Sequence, residues 1–573
     1  MGSFRLSSVF GFTLVSAILT SAQNFTATKT LPKVDLGYEI HQAISFNETG
    51  QLYNFTNIRY AQPPVGSLRF AAPLPPTGRN PVVQDGSVGR VCPSAIPNWS
   101  PIANVLEADI IGGNLSTFDY DALNEQVQEY WSQHPPPAQT DGRATEDCLF
   151  LDVIVPKAVF DRGQGHPRRR WQTGGGAPVV IWVYGGGYTL GSKGQWGNPS
   201  GLIKASQQGG QPGIIYVTFN YRLGALGWLA GPTFQASGGV SNAGLYDQRL
   251  AIEWVKQNIH LFGGDPNKIT LLGESAGGGS IVHQITAYGG QQGVSFQKAV
   301  AQSPGYDPVR SSFYMENITN NYLSILGVNT LEEARQKSSD EVILANTIQI
   351  GGSYYGTFTY GPMVDGIFVP DVPGVLLSTG RFAKDVSVMV GHNSFESAGF
   401  TPPWLTTEED FQVWLQTMFP GITQEAVDHI LNDLYPAAYD GSQSYTSPLG
   451  RIFLMVNEVI FVCNTFYVNN GFQNQTYAYE FEIPPAFHGQ DIAYTYYNGG
   501  GSTASVIAPI AEMLQSYLTN FAMTGNPNGP GLPYFPVHGA NAILNAIKAN
   551  ATVPEPDETA NERCAWWGKG LYA

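Results

Sequence analysis

The chain reads as an α/β fold on a large, mainly parallel sheet, and two observations carry that reading. Short apolar runs at 179–184, 214–219, 269–272, 386–390 and 476–481 are rich in Val, Ile and aromatic residues. They lack clean alternation and are bounded by Gly, Pro or Asn, as strands buried on both faces are. Helical patterns lie between them, for example 251–259 with apolar residues at helical spacing, and alternating strand and helix gives a parallel sheet covered by helices. Ligands of such sheets bind beyond the carboxyl ends of the strands, so chemistry is sought just after each run.

The N-terminus gives the address. Residues 1–22 carry one early positive charge, Arg5, then a modestly apolar stretch and Thr20-Ser21-Ala22, small residues suited to signal-peptidase cleavage. No later segment reaches about 18 uninterrupted apolar residues, so no integral membrane span is expected. Glycosylation sequons at Asn24, Asn47, Asn54, Asn98, Asn114, Asn317, Asn474 and Asn550 agree with a secreted, extracellular glycoprotein. Residues 23–573 show no linker, repeat or low-complexity segment and are expected to form a single domain.

Four cysteines, Cys92, Cys148, Cys463 and Cys564, allow three pairings, and an oxidising compartment favours disulfides. Their spacing resembles no zinc site. A net charge of −16 argues against nucleic acid and anionic membranes as partners. The one basic cluster, His166-Pro167-Arg168-Arg169-Arg170 between glycine runs, reads as a solvated loop.

Directly after the run 269–272 stands Gly273-Glu274-Ser275-Ala276-Gly277. A serine between two glycines at a strand end is the layout of a nucleophile elbow, where a flanking Cβ would crowd the neighbouring strand and helix. An ordinary strand-to-helix turn is the alternative, so the serine needs partners. After 179–184 comes Gly185-Gly186-Gly187-Tyr188, which either is a flexible turn or presents backbone N–H groups as an oxyanion hole. In the latter reading Gly186, Gly187 and Ala276 supply the donors.

After 386–390 comes Gly391-His392-Asn393-Ser394-Phe395-Glu396-Ser397, and after 476–481 the stretch that contains His488-Gly489-Gln490-Asp491. The order Ser275, Glu396, His488 is the nucleophile–acid–histidine order of α/β-hydrolases. Histidine titrates near neutrality and can take and return a proton, while a carboxylate fixes its tautomer. His392 and Asp491 are the local competitors for these roles.

At this point the chain closely resembles the type-B carboxylesterase/lipase family, which includes cholinesterases and fungal lipases. The stretch from Phe262-Gly263-Gly264-Asp265-Pro266 through Gly273-Glu274-Ser275-Ala276-Gly277 matches its extended serine signature, and Glu146-Asp147-Cys148-Leu149-Phe150-Leu151-Asp152-Val153 its second. The resemblance covers nearly the whole mature chain and implies an α/β-hydrolase fold with lid or cap insertions. Its acid motif maps onto Gly391, Asn393 and Glu396, with Phe395 and Ser397 replacing the usual Asp and Gly; its histidine maps onto His488. Ser303 is then a residue beneath the site rather than a second nucleophile. The family also implies a Cys92–Cys148 disulfide, which would bound a lid-like insertion at about 92–148. Cys463 and Cys564 would pair by elimination.

The expectation is a serine hydrolase that cleaves carboxylic esters through an acyl-serine, on a small-molecule or lipid ester, with no metal or cofactor. An acyltransferase using the same triad is the nearest alternative. A non-catalytic binding or adhesion module of the same fold is the more distant one.

Overall fold

A computed structural model describes residues 31–133, 141–164, 175–195, 197–306, 312–499 and 505–572. The segment 1–22, Asn24 and the basic cluster at 166–170 lie outside them. A short hairpin, β1 (Lys33–Asp35) and β2 (Ile40–Gln42), precedes the main sheet. That sheet comprises β3 (Ser45–Asn47), β4 (Leu52–Arg59), β5 (Phe150–Pro156), β6 (Ala177–Val183), β7 (Ile215–Phe219), β8 (Gly264–Glu274), β9 (Lys298–Gln302), β10 (Ser387–Asn393), β11 (Tyr477–Phe481), β12 (Ile543–Ile547) and β13 (Thr552–Pro556). Its order is β13-β12-β11-β10-β9-β8-β6-β7-β5-β4-β3.

The strands from β7 to β12 run parallel to one another, and every apolar run singled out in the sequence is one of them. The edges differ: β13 at one side and β3, β4 and β5 at the other pair antiparallel. The sheet is therefore mixed, parallel through its core and antiparallel at its rims. The outermost strands, β3 and β13, are short hairpin partners of β4 and β12 with no buried residue, so they show none of the continuous apolar runs that marked the core. From β6 the chain adds β7 on one side and then β8 on the other, so the order reverses at β6. A crevice opens at such a reversal, beyond the carboxyl ends of β6 and β8.

Most of the core lies along the sheet, where Val179, Ile181, Val217, Ile269, Leu271 and Met389 are fully buried. A second cluster gathers Phe411, Trp414, Tyr435, Ile452, Met455 and Trp567 around Cys463 and Cys564, which are joined as a disulfide. A third packs Trp99, Ile102, Ala103 and Val127 against Tyr355. Ile102, Ala103 and Val127 belong to helices Ser100–Gly112 and Tyr120–Gln133, the first preceded by Trp99; both helices lie between Cys92 and Cys148, themselves disulfide-bonded. Among the described residues one helical stretch, Pro448–Gly471, is long and apolar enough to cross a membrane, yet 72% of its most apolar window is buried in the protein. Its apolarity serves the second cluster.

Candidate active site

The elbow is set by sterics. Strand β8 ends at Glu274 and helix Ala276–Thr286 begins at once, leaving Ser275 at φ 58°, ψ −126°. A non-glycine residue in such a conformation costs about 1–3 kcal/mol, which the surroundings must hold in place. They do so closely. A Cβ on Gly277 would sit 2.0 Å from the Val183 carbonyl oxygen, and one on Gly273 would sit 2.8 Å from the same atom. Ser275 N–H donates to Gln302 O at 3.1 Å, and Ser275 O accepts from Gly279 N–H at 2.8 Å.

Two further loops converge on Ser275. After β10 the chain turns through Ser394 and Phe395 to Glu396; after β11 it turns through Phe487 to His488. Phe395 and Phe487 form an isolated parallel bridge with rings 5.5 Å apart, which ties the two loops together. Glu396 Oε2 accepts from His488 Nδ1 at 2.6 Å, and His488 Nε2 lies 2.8 Å from Ser275 Oγ. A carboxylate on Nδ1 puts the ring proton there and leaves Nε2 to accept from the serine hydroxyl. The other carboxylate oxygen, Oε1, accepts from Ser303 Oγ at 2.7 Å and from Asn393 N–H at 2.5 Å. Glu396 is completely buried, so each of these donors replaces lost water.

The competitors are accounted for. His392 is register-paired with Glu480, one strand position away from the site-facing Asn393. Asp491 is buried beneath the site, where it accepts from Tyr479 Oη at 2.6 Å and Gln302 Nε2 at 3.1 Å. On the opposite side the glycine loop folds back. Gly186 and Gly187 have φ of 108° and 58°, and a Cβ on Gly187 would strike the Phe358 ring at 2.3 Å. Among the described residues, no acceptor takes the N–H of Gly186, Gly187 or Ala276. Those N–H groups are left available for a developing oxyanion.

Several residues at the site carried no signal in the sequence. Asn457 accepts the Glu396 N–H at 2.9 Å and precedes a π-helical turn at Glu458–Val462 that carries Phe461, an irregularity common at functional sites. Phe461 and Phe400 lie against the His488 ring at 4.3 and 5.2 Å. Glu274, inside the serine motif, has its Oε1 3.3 Å from His488 Nε2. Burial raises the Glu274 carboxyl to about 8. Burial pulls His488 toward neutrality, but Glu274 and Glu396 outweigh it and raise the imidazole. The two groups titrate as a pair.

A nucleophile elbow at the carboxyl end of a parallel sheet, with an acid and a histidine arriving from later strands, defines an α/β-hydrolase. The carboxylesterase family model matches residues 41–567. The chain is 41% identical over 545 residues to carboxylesterase patB of Aspergillus clavatus, covering 95% of this chain and 97% of that one. It is 35% identical over 389 residues to a secreted lipase of Arthroderma benhamiae, covering 67% and 72% respectively. Among solved structures, Aspergillus niger EstA superposes with a TM-score of 0.76 at 25% identity, covering 96% of this chain and 100% of that one. The chain belongs to the carboxylesterase family and is a carboxylic ester hydrolase.

Proposed function

We propose that this protein is a secreted hydrolase of small-molecule or lipid esters that works through an acyl-serine. Ser275 Oγ attacks the ester carbonyl as its proton passes to His488 Nε2. Glu396 holds the imidazole in the tautomer that accepts this proton and stabilises the imidazolium. The N–H groups of Gly186, Gly187 and Ala276 stabilise the tetrahedral oxyanion. As the ester C–O bond breaks, His488 returns the proton to the departing alcohol; water then attacks the acyl-serine by the same route. The observation that carries the reading is the hydrogen-bonded chain Ser275–His488–Glu396, at 2.8 and 2.6 Å. Its test is labelling with a fluorophosphonate probe and peptide mapping: the adduct is expected on Ser275, and an unlabelled Ser275 in folded protein would refute it.

Residues 23–573 form one domain in this reading, with the disulfide-bounded stretch 92–148 serving as a cap over the site. Support for secretion comes from the cleavable-looking 1–22 segment, from two disulfides and from the name of the secreted lipase to which the chain is similar. Asn114, Asn317 and Asn550 are exposed and open to glycosylation, while Asn47, Asn54, Asn98 and Asn474 are half-buried. N-terminal sequencing and glycosidase treatment of protein from culture medium test this. A mature chain starting at Met1 and unchanged by glycosidase would count against it.

A further inference from the structure

The cap helix Ser100–Gly112 sends one carboxylate toward the site. Glu107 lies one helical turn from the buried Ala103 and shares its inward face. Both reach Gly399: a Cβ there would sit 2.6 Å from Glu107 Oε1 and 3.8 Å from Ala103 Cβ. The next residue is Phe400, whose ring meets His488 edge-on at 5.2 Å. Phe400 continues into an aromatic wall through Trp99 at 6.1 Å, and Trp99 in turn packs on Tyr355 at 5.2 Å. Among the described residues no group hydrogen-bonds or ion-pairs with the half-buried Glu107 carboxylate. Burial holds its pKa above the ordinary range, opposed by the nearby His488. A half-buried carboxylate without a protein partner has lost part of its hydration, which an incoming donor can restore.

Resting on the triad reading above, we propose that Glu107 is a specificity-determining residue that accepts a hydrogen bond from a hydroxyl or ammonium group on the alcohol portion of the ester. The alcohol portion is the one concerned because it takes its proton from His488, and Glu107 reaches Gly399, next to the Phe400 ring that packs on His488. The aromatic wall also suits a cation, which the ring faces attract.

The test compares kcat/KM for propyl butyrate, 2-hydroxyethyl butyrate and 2-(dimethylamino)ethyl butyrate, with propyl 3-hydroxybutyrate carrying the hydroxyl on the acyl side. A hydrogen bond to a charged group predicts that the wild-type enzyme favours both polar alcohol esters over propyl butyrate by about tenfold or more. In Glu107→Leu that ratio falls to near unity; in Glu107→Gln the hydroxyl preference survives in part, and the ammonium preference is lost. Unchanged ratios in both variants would overturn the proposal, as would a common fall for all esters or a preference that follows the acyl hydroxyl. Fluorophosphonate labelling of Ser275 in every variant keeps the two readings apart. A wild-type serine that does not label indicts the triad, whereas labelled variants with unchanged ratios indict Glu107 alone.

Discussion

Replacing Glu396 by glutamine changes one atom and should invert the site's proton arrangement. Glu396 Oε1 accepts from both Ser303 Oγ and Asn393 N–H, while Oε2 accepts from His488 Nδ1. Glutamine has a single acceptor oxygen, and the two donors at the Oε1 position hold it there. Its amide nitrogen then faces Nδ1, which must become an acceptor. The ring proton moves to Nε2, 2.8 Å from Ser275 Oγ, where it blocks proton transfer from the serine. A wrong tautomer of this kind lowers kcat by about 10⁴-fold, which is about 5 kcal/mol of transition-state stabilisation. The assay is kcat on p-nitrophenyl acetate, with circular dichroism and thermal melting to show that the variant is folded. A folded variant losing less than about tenfold would refute the assignment of Glu396 as the orienting acid.

Other consequences are as specific. In Glu274→Gln the charge that helps raise His488 is removed. An imidazole must be neutral to accept the serine proton, so the acidic limb of the kcat/KM–pH profile should move to lower pH; an unmoved limb would contradict the coupling. In Gly187→Ala the new Cβ would meet the Phe358 ring at 2.3 Å and the backbone would resist φ 58°. Displacement of one oxyanion donor should cost about 10²–10³-fold in kcat on the same ester, and near-normal kcat would remove Gly187 from the hole. Replacing Cys92 and Cys148 together by alanine opens a bridge of sequence separation 56, and urea unfolding should show a loss of about 4 kcal/mol. An unchanged midpoint would place that bridge outside the folding-relevant contacts.

How much of this was legible without coordinates differs from element to element, for physical reasons. The elbow was, because its glycines answer a local steric demand: Gly273 and Gly277 both crowd the Val183 carbonyl. The central strands were, because burial on two faces leaves continuous apolar runs. Strand β9, Lys298–Gln302, was passed over because it is short, built on small residues and bounded by polar ones. The edge strands β3 and β13 were missed because they are short and bury no residue, which leaves no apolar run to read. The supports of Glu396 divide the same way. Ser303 came from the family motif, whereas Asn457 and Phe461 arrive on a helical stretch whose own sequence says only that it is apolar. Glu274 was in plain view, but its charge state follows from tertiary burial and from His488, which a linear motif does not record.

The account's central claim is that the ester's acyl group passes through Ser275. Mixing the enzyme with a p-nitrophenyl ester, quenching in acid within the first turnovers and mapping peptides by mass spectrometry tests it directly. The account predicts one acyl adduct, on the peptide bearing Ser275, and none in Ser275→Ala, which should also lose turnover. An adduct on another residue, or full turnover in Ser275→Ala, would contradict it.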